Sequence, residues 1–185
     1  CTLEDYGLSV TEVPLAGANE VRTSRIFLDR QVADAIRESF PAAQPVITYM
    51  ANTIAANGKE TPYSMVTALT PEAAAFLPKD FHGVVLNAWE AEDLGAGVGD
   101  EVRIVYYALE GQNRLVERSA NFPVVGVVPL TGLAADRMWM PDFPGVASAE
   151  NTAEWDAGVP IDTKRIRDKD ETYWDDYRGT PKLFL

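Results

Sequence analysis

Two runs of β-branched and apolar residues, Val46 to Ala55 and Thr61 to Leu69, flank the dipeptide Asn57-Gly58. Asn-Gly takes the two positive backbone angles that a tight hairpin turn requires, so the segment predicts a long antiparallel pair. The rest of the fold has to be built around that pair.

Upstream, Tyr6 to Val13 alternates weakly and meets Glu20 to Leu28 across the turn-rich Ala16-Gly17-Ala18-Asn19, which predicts a first hairpin. Asp29 is placed to cap a helix whose Val32, Ala35, Ile36 and Phe40 recur at helical spacing until Pro41. Downstream, Pro71 and Pro78 bracket a short alanine-rich stretch read as a helix. Val84 to Leu86 is a brief strand, Asn87 a cap, and a helix carrying Trp89 and Leu94 stops at Gly95. Val102, Ile104 and Tyr106 alternate as a strand. Gly111-Gln112-Asn113 turns the chain back through Leu115 and Val116, and Phe122 to Val128 is a buried strand. Pro129 to Pro160 is irregular. A final helix is expected from Asp162 or Thr163 to Gly179, with Ile166, Tyr173 and Tyr177 on one face and Trp174 beside them. Strands and helices without strict alternation make this an α+β chain.

Composition removes several classes of function. The chain has 185 residues, 28 acids against 16 bases, and a net charge of -12. Such a surface repels phosphate backbones, and no basic cluster offsets it, so nucleic-acid binding is not expected. Adsorption onto an anionic bilayer is disfavoured for the same reason. The longest apolar run, Phe122 to Leu130, contains Pro123, Gly126 and Pro129 and falls short of the ~20 residues that span a bilayer. The single cysteine, Cys1, excludes an internal disulfide framework. It reads as a segment boundary, with a lipid-bearing first residue as the alternative.

Catalytic chemistry finds little to build on. The one histidine, His82, precedes a strand, and neither Ser64 nor Ser119 sits in a nucleophile elbow, so no triad is proposed. Zinc lacks ligands. Asp168, Asp170, Glu171, Asp175 and Asp176 form no calcium loop and, interleaved with Lys164, Arg165, Arg167 and Lys169, read as a solvated, partly paired helix face. Gly95-Ala96-Gly97-Val98-Gly99 precedes a strand and is a turn, not a phosphate loop. No catalytic residue, metal site or cofactor is expected. A carboxylate-based secreted hydrolase remains as a third reading, since 28 acids supply many pairs. Met138-Trp139-Met140-Pro141-Asp142-Phe143-Pro144 places four large apolar side chains in a loop, where they plug a core or meet a partner. If there is a contact surface, it is expected at Met138, Trp139, Met140 and Phe143, then at Tyr173, Trp174 and Tyr177. Core packing is the competing account of all seven.

Several segments, in order, carry a resemblance. They are Asp5-Tyr6-Gly7-Leu8, Ser24 to Asp29, Pro62-Tyr63-Ser64 and Leu86-Asn87-Ala88-Trp89-Glu90-Ala91-Glu92-Asp93-Leu94-Gly95. They continue with Val98 to Val102, Phe122-Pro123-Val124-Val125-Gly126-Val127-Val128, Trp155 to Asp162, and Asp168 through Thr180-Pro181-Lys182. Together these resemble the extracytoplasmic domain of FtsX-like, MacB-type ABC transporter permeases, over nearly the whole chain. The resemblance implies two subdomains: a βαβ-rich, membrane-proximal part beginning with residues 1–69, and a small β-rich insertion over 70–130. Residues 131–185 then return to the first. It implies a place on the periplasmic or extracellular side of the cell membrane, between membrane helices absent from this chain. The implied partners are the cognate ABC ATPase, reached through the rest of the permease, and an outside adaptor or cargo. Family domains continue past the Thr-Pro-Lys motif into further strands, so the extracytoplasmic region is expected to exceed this segment. The implied role is non-catalytic coupling of ATP-driven helix motion to the outside partner. The alternative is an extracytoplasmic ligand- or peptide-binding module, lipid-anchored through Cys1.

Overall fold

The computed structural model describes residues 2–25, 27–79, 82–111, 114–140, 143 and 145–185. Cys1 and its lipid-anchor reading lie outside these, as do Ile26, Asp80, Phe81, Gln112, Asn113, Pro141, Asp142 and Pro144. The fold is α+β, and its strands form two sheets. Strands β1 (Leu8–Val13) and β2 (Ala18–Thr23) make a separate hairpin, followed by helix α1 (Arg30–Ser39). Then come β3 (Val46–Ala56), β4 (Lys59–Leu69), β5 (Val84–Asn87), α2 (Ala88–Leu94), β6 (Glu101–Glu110) and β7 (Arg114–Val128). Helix α3 (Asp168–Tyr177) and β8 (Leu183–Phe184) complete the order.

Six strands close into a barrel in the order β3-β4-β8-β5-β7-β6, with β6 returning to β3. The β3–β4 hairpin is the predicted one. Asn57 and Gly58 turn it with φ of 53° and 75°, the left-handed pair that selects Asn-Gly. Pairing is parallel at β4–β8 and β5–β7 and antiparallel elsewhere. Every one of the six strands contributes to the same apolar cluster, for example Ile54, Val66, Leu86, Val102, Val124 and Leu183. That cluster fills the barrel interior. Alternation along β5 sends Val84 and Leu86 inwards and Val85 to a second cluster with Leu77, Trp139 and Phe184. A third cluster seats Met140, Phe143, Val146 and Trp174 on Met50, Tyr63 and Met65 of the β3–β4 wall.

The barrel draws β3 and β4 from residues 1–69, β5 to β7 from 70–130 and β8 from 131–185. The three expected segments therefore share one barrel, and what stands apart from it is the β1–β2 hairpin with α1. Among the described residues before Met50, only Val13 and Thr48 are buried, and α1 buries none. Asp29 does not cap α1 with its side chain; it pairs with Arg25 at 2.7 Å.

Three local expectations are corrected. The stretch between Pro71 and Pro78 forms turns, because so short a run cannot offset helix nucleation and Ala74 and Leu77 are drawn onto the barrel wall. Residues 114–128 are one strand rather than two pieces. Helix α3 starts at Asp168, not Asp162 or Thr163, and ends at Tyr177 before Gly179. Thr163–Arg165 is a single 3-10 turn, and Arg165 is held outside the helix by Thr53 at 2.7 Å and by the Tyr63 ring.

Candidate functional site

Where β5 passes into α2, Asn87 accepts the Glu90 amide at 2.8 Å, capping the helix as its sequence position predicts. The other end of the same side chain donates to the Tyr173 hydroxyl (2.9 Å) and to the Pro181 carbonyl (3.0 Å). Tyr173 in turn donates to the Thr180 carbonyl at 2.9 Å. One asparagine thus ties α2, α3 and the approach to β8 together.

Charges gather around this joint. Lys182 is buried, with its ammonium 3.5 Å from Asp170 and over the rings of Trp89 (4.1 Å) and Tyr173 (4.7 Å). Arg167 holds Asp170 with two bonds of 2.6 and 2.7 Å and reaches Asp93 at 2.6 Å. Asp93, its side chain 3% exposed, also accepts from Thr61 at 2.7 Å and from Lys169. Asp170 further accepts the Arg167 amide at 3.0 Å, starting α3. The set is three acids (Glu90, Asp93, Asp170) and three bases (Arg167, Lys169, Lys182). Burial works to raise the Asp93 pKa, but bonds from Lys169, Thr61 and Arg167 outweigh it and hold the carboxyl below its ordinary value. Burial likewise pulls against Arg167, and the bonds to Asp170 and Asp93 outweigh it, raising the guanidinium. Burial lowers Lys182, with Glu90 and Asp170 opposing. Beside the joint is a cavity of about 30 Å³ whose walls include Asp170, Lys182, Trp155 and Trp174. It is of a size for a water or two. The indole N–H groups of Trp155 and Trp174 are buried and have no acceptor among the described residues.

A second feature is an open groove of about 380 Å³ between the β1–β2 hairpin and a wall of Asp136, Arg137, Met138, Met140, Ala147 and Arg178. Arg22 donates to the Met138 carbonyl at 2.5 Å and bridges the two walls. Glu12, Arg137 and Arg178 also line it, with Met138 and Met140. Arg137 is exposed and joins no ion pair among the described residues, whereas Arg178 donates to the Ala149 carbonyl at 2.6 Å.

Of the seven residues expected as a contact surface, Trp139, Met140, Phe143, Tyr173 and Trp174 are buried. Met138 and Tyr177 are half-buried. Trp139 donates to the Leu133 carbonyl at 2.6 Å and packs on Phe76 and Phe184. Trp174 meets Trp155 edge to face at 4.9 Å. Core packing occupies these aromatics, and only Met138 and Met140 also face the groove. The acids of α3 are divided: Asp168, Asp175 and Asp176 are solvated, but Asp170 points into the charged joint, correcting the reading of one solvated face. Sequence reasoning missed Glu90, Asp93, Arg167 and Lys182 as a group. The available signal was the Arg167-to-Asp170 spacing at a helix start. Among the described residues no cluster of three or more His, Cys, Asp or Glu is arranged to hold a metal ion, and no helix is long and apolar enough to cross a membrane. No protein-family model matches the chain, and comparison with curated proteins returns no match.

Proposed function

We propose that this chain belongs to the extracytoplasmic domain of an FtsX-like, MacB-type ABC permease and couples motion of the membrane helices to an outside partner, without chemistry of its own. One observation carries the reading. The segments behind the resemblance, Pro62 to Ser64, Leu86 to Gly95 and Asp168 to Lys182, lie far apart in sequence yet meet at a single joint. Asn87 reaches Tyr173 and Pro181, Arg167 reaches Asp93, and Pro62 and Ser64 line the same cavity as Asp170 and Lys182. Motif residues that converge on a charged joint cross-linked by side-chain bonds are what a transmitting element needs, because a soft joint would dissipate displacement. The partner is met at the groove, where Met138 and Met140 give an adaptable floor and Arg137 an exposed cation. Coupling then requires two arrangements of the domain that differ in affinity for that partner.

The test uses the full-length protein in intact cells. A cysteine replacing the exposed Leu109, in a Cys1→Ser background, is expected to react with a membrane-impermeant maleimide, and an ATPase is expected to co-purify. Labelling only after lysis, or recovery in the soluble fraction, overturns the proposal. The groove's volume also favours a second reading, a peptide- or ligand-binding module, since small-ligand sites begin at roughly 300 Å³. Under that reading a ligand raises the melting temperature with no ATPase present.

A further inference from the structure

Glu90 sits in the first turn of α2 with none of its surface exposed, and neither carboxyl oxygen has a hydrogen-bond partner among the described residues. An ionised carboxylate in such a place has lost its water and gained no donor, which is costly. The nearby donors are already engaged. On β4, Thr61 gives its one hydroxyl proton to Asp93. Arg167, leading into α3, divides itself among Asp170, Asp93 and the Glu60 carbonyl. Lys182, leading into β8, lies nearest to Asp170 and the two aromatic rings. Tyr173 of α3 spends its proton on Thr180.

We infer that Glu90 carries a proton in the folded protein near neutrality, and that its release weakens the α2–α3–β8 joint, making the joint a proton-sensitive latch. Burial is the main force and pushes the Glu90 carboxyl up to about 7; Lys182 opposes it most, Thr61 and Arg167 less, while Asp93 assists. The folded state therefore holds this proton more tightly than the unfolded chain, whose carboxyl titrates at 4.5. The resulting stabilisation is full below pH 4.5 and is lost as pH rises through about 7. Lys182 acts with the opposite sign. Its lowered pKa makes the folded state shed a proton that the unfolded chain keeps, so its contribution grows as pH rises towards 10.5. The two contributions oppose each other, and the Glu90→Gln and Lys182→Met variants tell them apart. This latch does not depend on the transporter reading.

The experiment is urea unfolding of the intact chain from pH 5 to 9, for the wild type and the Glu90→Gln, Lys182→Met and His82→Asn variants. The last replaces the exposed histidine and serves as the control. Glu90 by itself is expected to lower the folding equilibrium constant by about two orders of magnitude across this range. Glu90→Gln removes that slope, His82→Asn keeps it, and Lys182→Met moves it to higher pH. Hydrogen exchange of α3 amides, corrected for the intrinsic rate, should speed up above pH 7 in the wild type and not in Glu90→Gln. Carbon NMR of the side-chain carboxyls reads the proton directly even if Lys182→Met does not fold. One glutamate signal should titrate near 7 and vanish in Glu90→Gln. An unchanged slope in Glu90→Gln, or every glutamate titrating below 5, overturns the inference.

Discussion

At the scale of single residues, the chain separates side chains of one chemical type by where they land. Trp174 and Tyr177 are neighbouring aromatics on α3, yet Trp174 is 3% exposed and wedged against Trp155 while Tyr177 is half-buried. Trp174→Ala should cost about 3–5 kcal/mol in urea unfolding and Tyr177→Ala less than half of that. Equal small losses would instead favour an exposed contact role for both. Asp93 is held by three side chains, those of Thr61, Arg167 and Lys169. Its depressed pKa means that its stabilisation is present above the unfolded value of 3.8 and lost as pH falls through the lower folded value. Asp93→Asn should cost on the order of 2 kcal/mol at pH 7, discounted because Arg167 is partly solvated, and should flatten the acid limb of the stability profile below pH 4. Gly179 has φ of 79°, and an added Cβ would meet Met140 and the Trp174 ring. None of these distinctions is legible in sequence. Asp170 and Asp175 are the same residue type on one helix, and which of them is buried depends on where the helix begins.

At the scale of elements, what was legible follows from local chemistry. The hairpins, the Asn87 cap and the Gly95 stop rest on backbone angles that a dipeptide or a single side chain decides. What was not legible follows from long-range contacts. The Pro71–Pro78 stretch and the start of α3 were settled by the barrel wall, through Leu77 in one case and through Arg165 on Thr53 in the other. The joint was hidden for the same reason, since the partners of Asn87 lie 86 and 94 residues away. Asn87→Ala removes a cap and two buried bonds at once. The expected loss is about 2–4 kcal/mol by urea unfolding, more than a helix cap alone contributes. A loss near 1 kcal/mol would show that the ties to α3 and β8 add nothing.

At the scale of the molecule, barrel closure depends on its shortest strand. The two residues of β8 lie between β4 and β5 in the barrel, pairing Leu183 and Phe184 with Val66 and Thr67 on one side and with Leu86 and Val85 on the other. Flanking bonds extend it: Lys182 donates to the Met65 carbonyl, Leu185 to Thr67, and Leu69 to Leu185. Both side chains are fully buried, and they belong to different clusters, Leu183 to the interior and Phe184 to the outer layer under Trp139. The strand therefore joins backbone and core at one place, and it is the last strand of the barrel in sequence. A stop after Lys182 should leave the β3–β4 and β6–β7 hairpins paired, yet abolish the single cooperative unfolding transition. By contrast, removing residues 2–43 takes away one buried residue among those described, Val13, and should lower the barrel's melting temperature by only a few degrees. Hydrogen exchange on the intact chain tests the same contrast without truncation. Amides of α1 should exchange through openings near 0 kcal/mol, and those of β3, β4 and β5 only through global unfolding. Protection of α1 equal to that of β4 would place the N-terminal region within the same cooperative unit as the barrel, and the joint at β8 would then no longer be the point on which the fold turns.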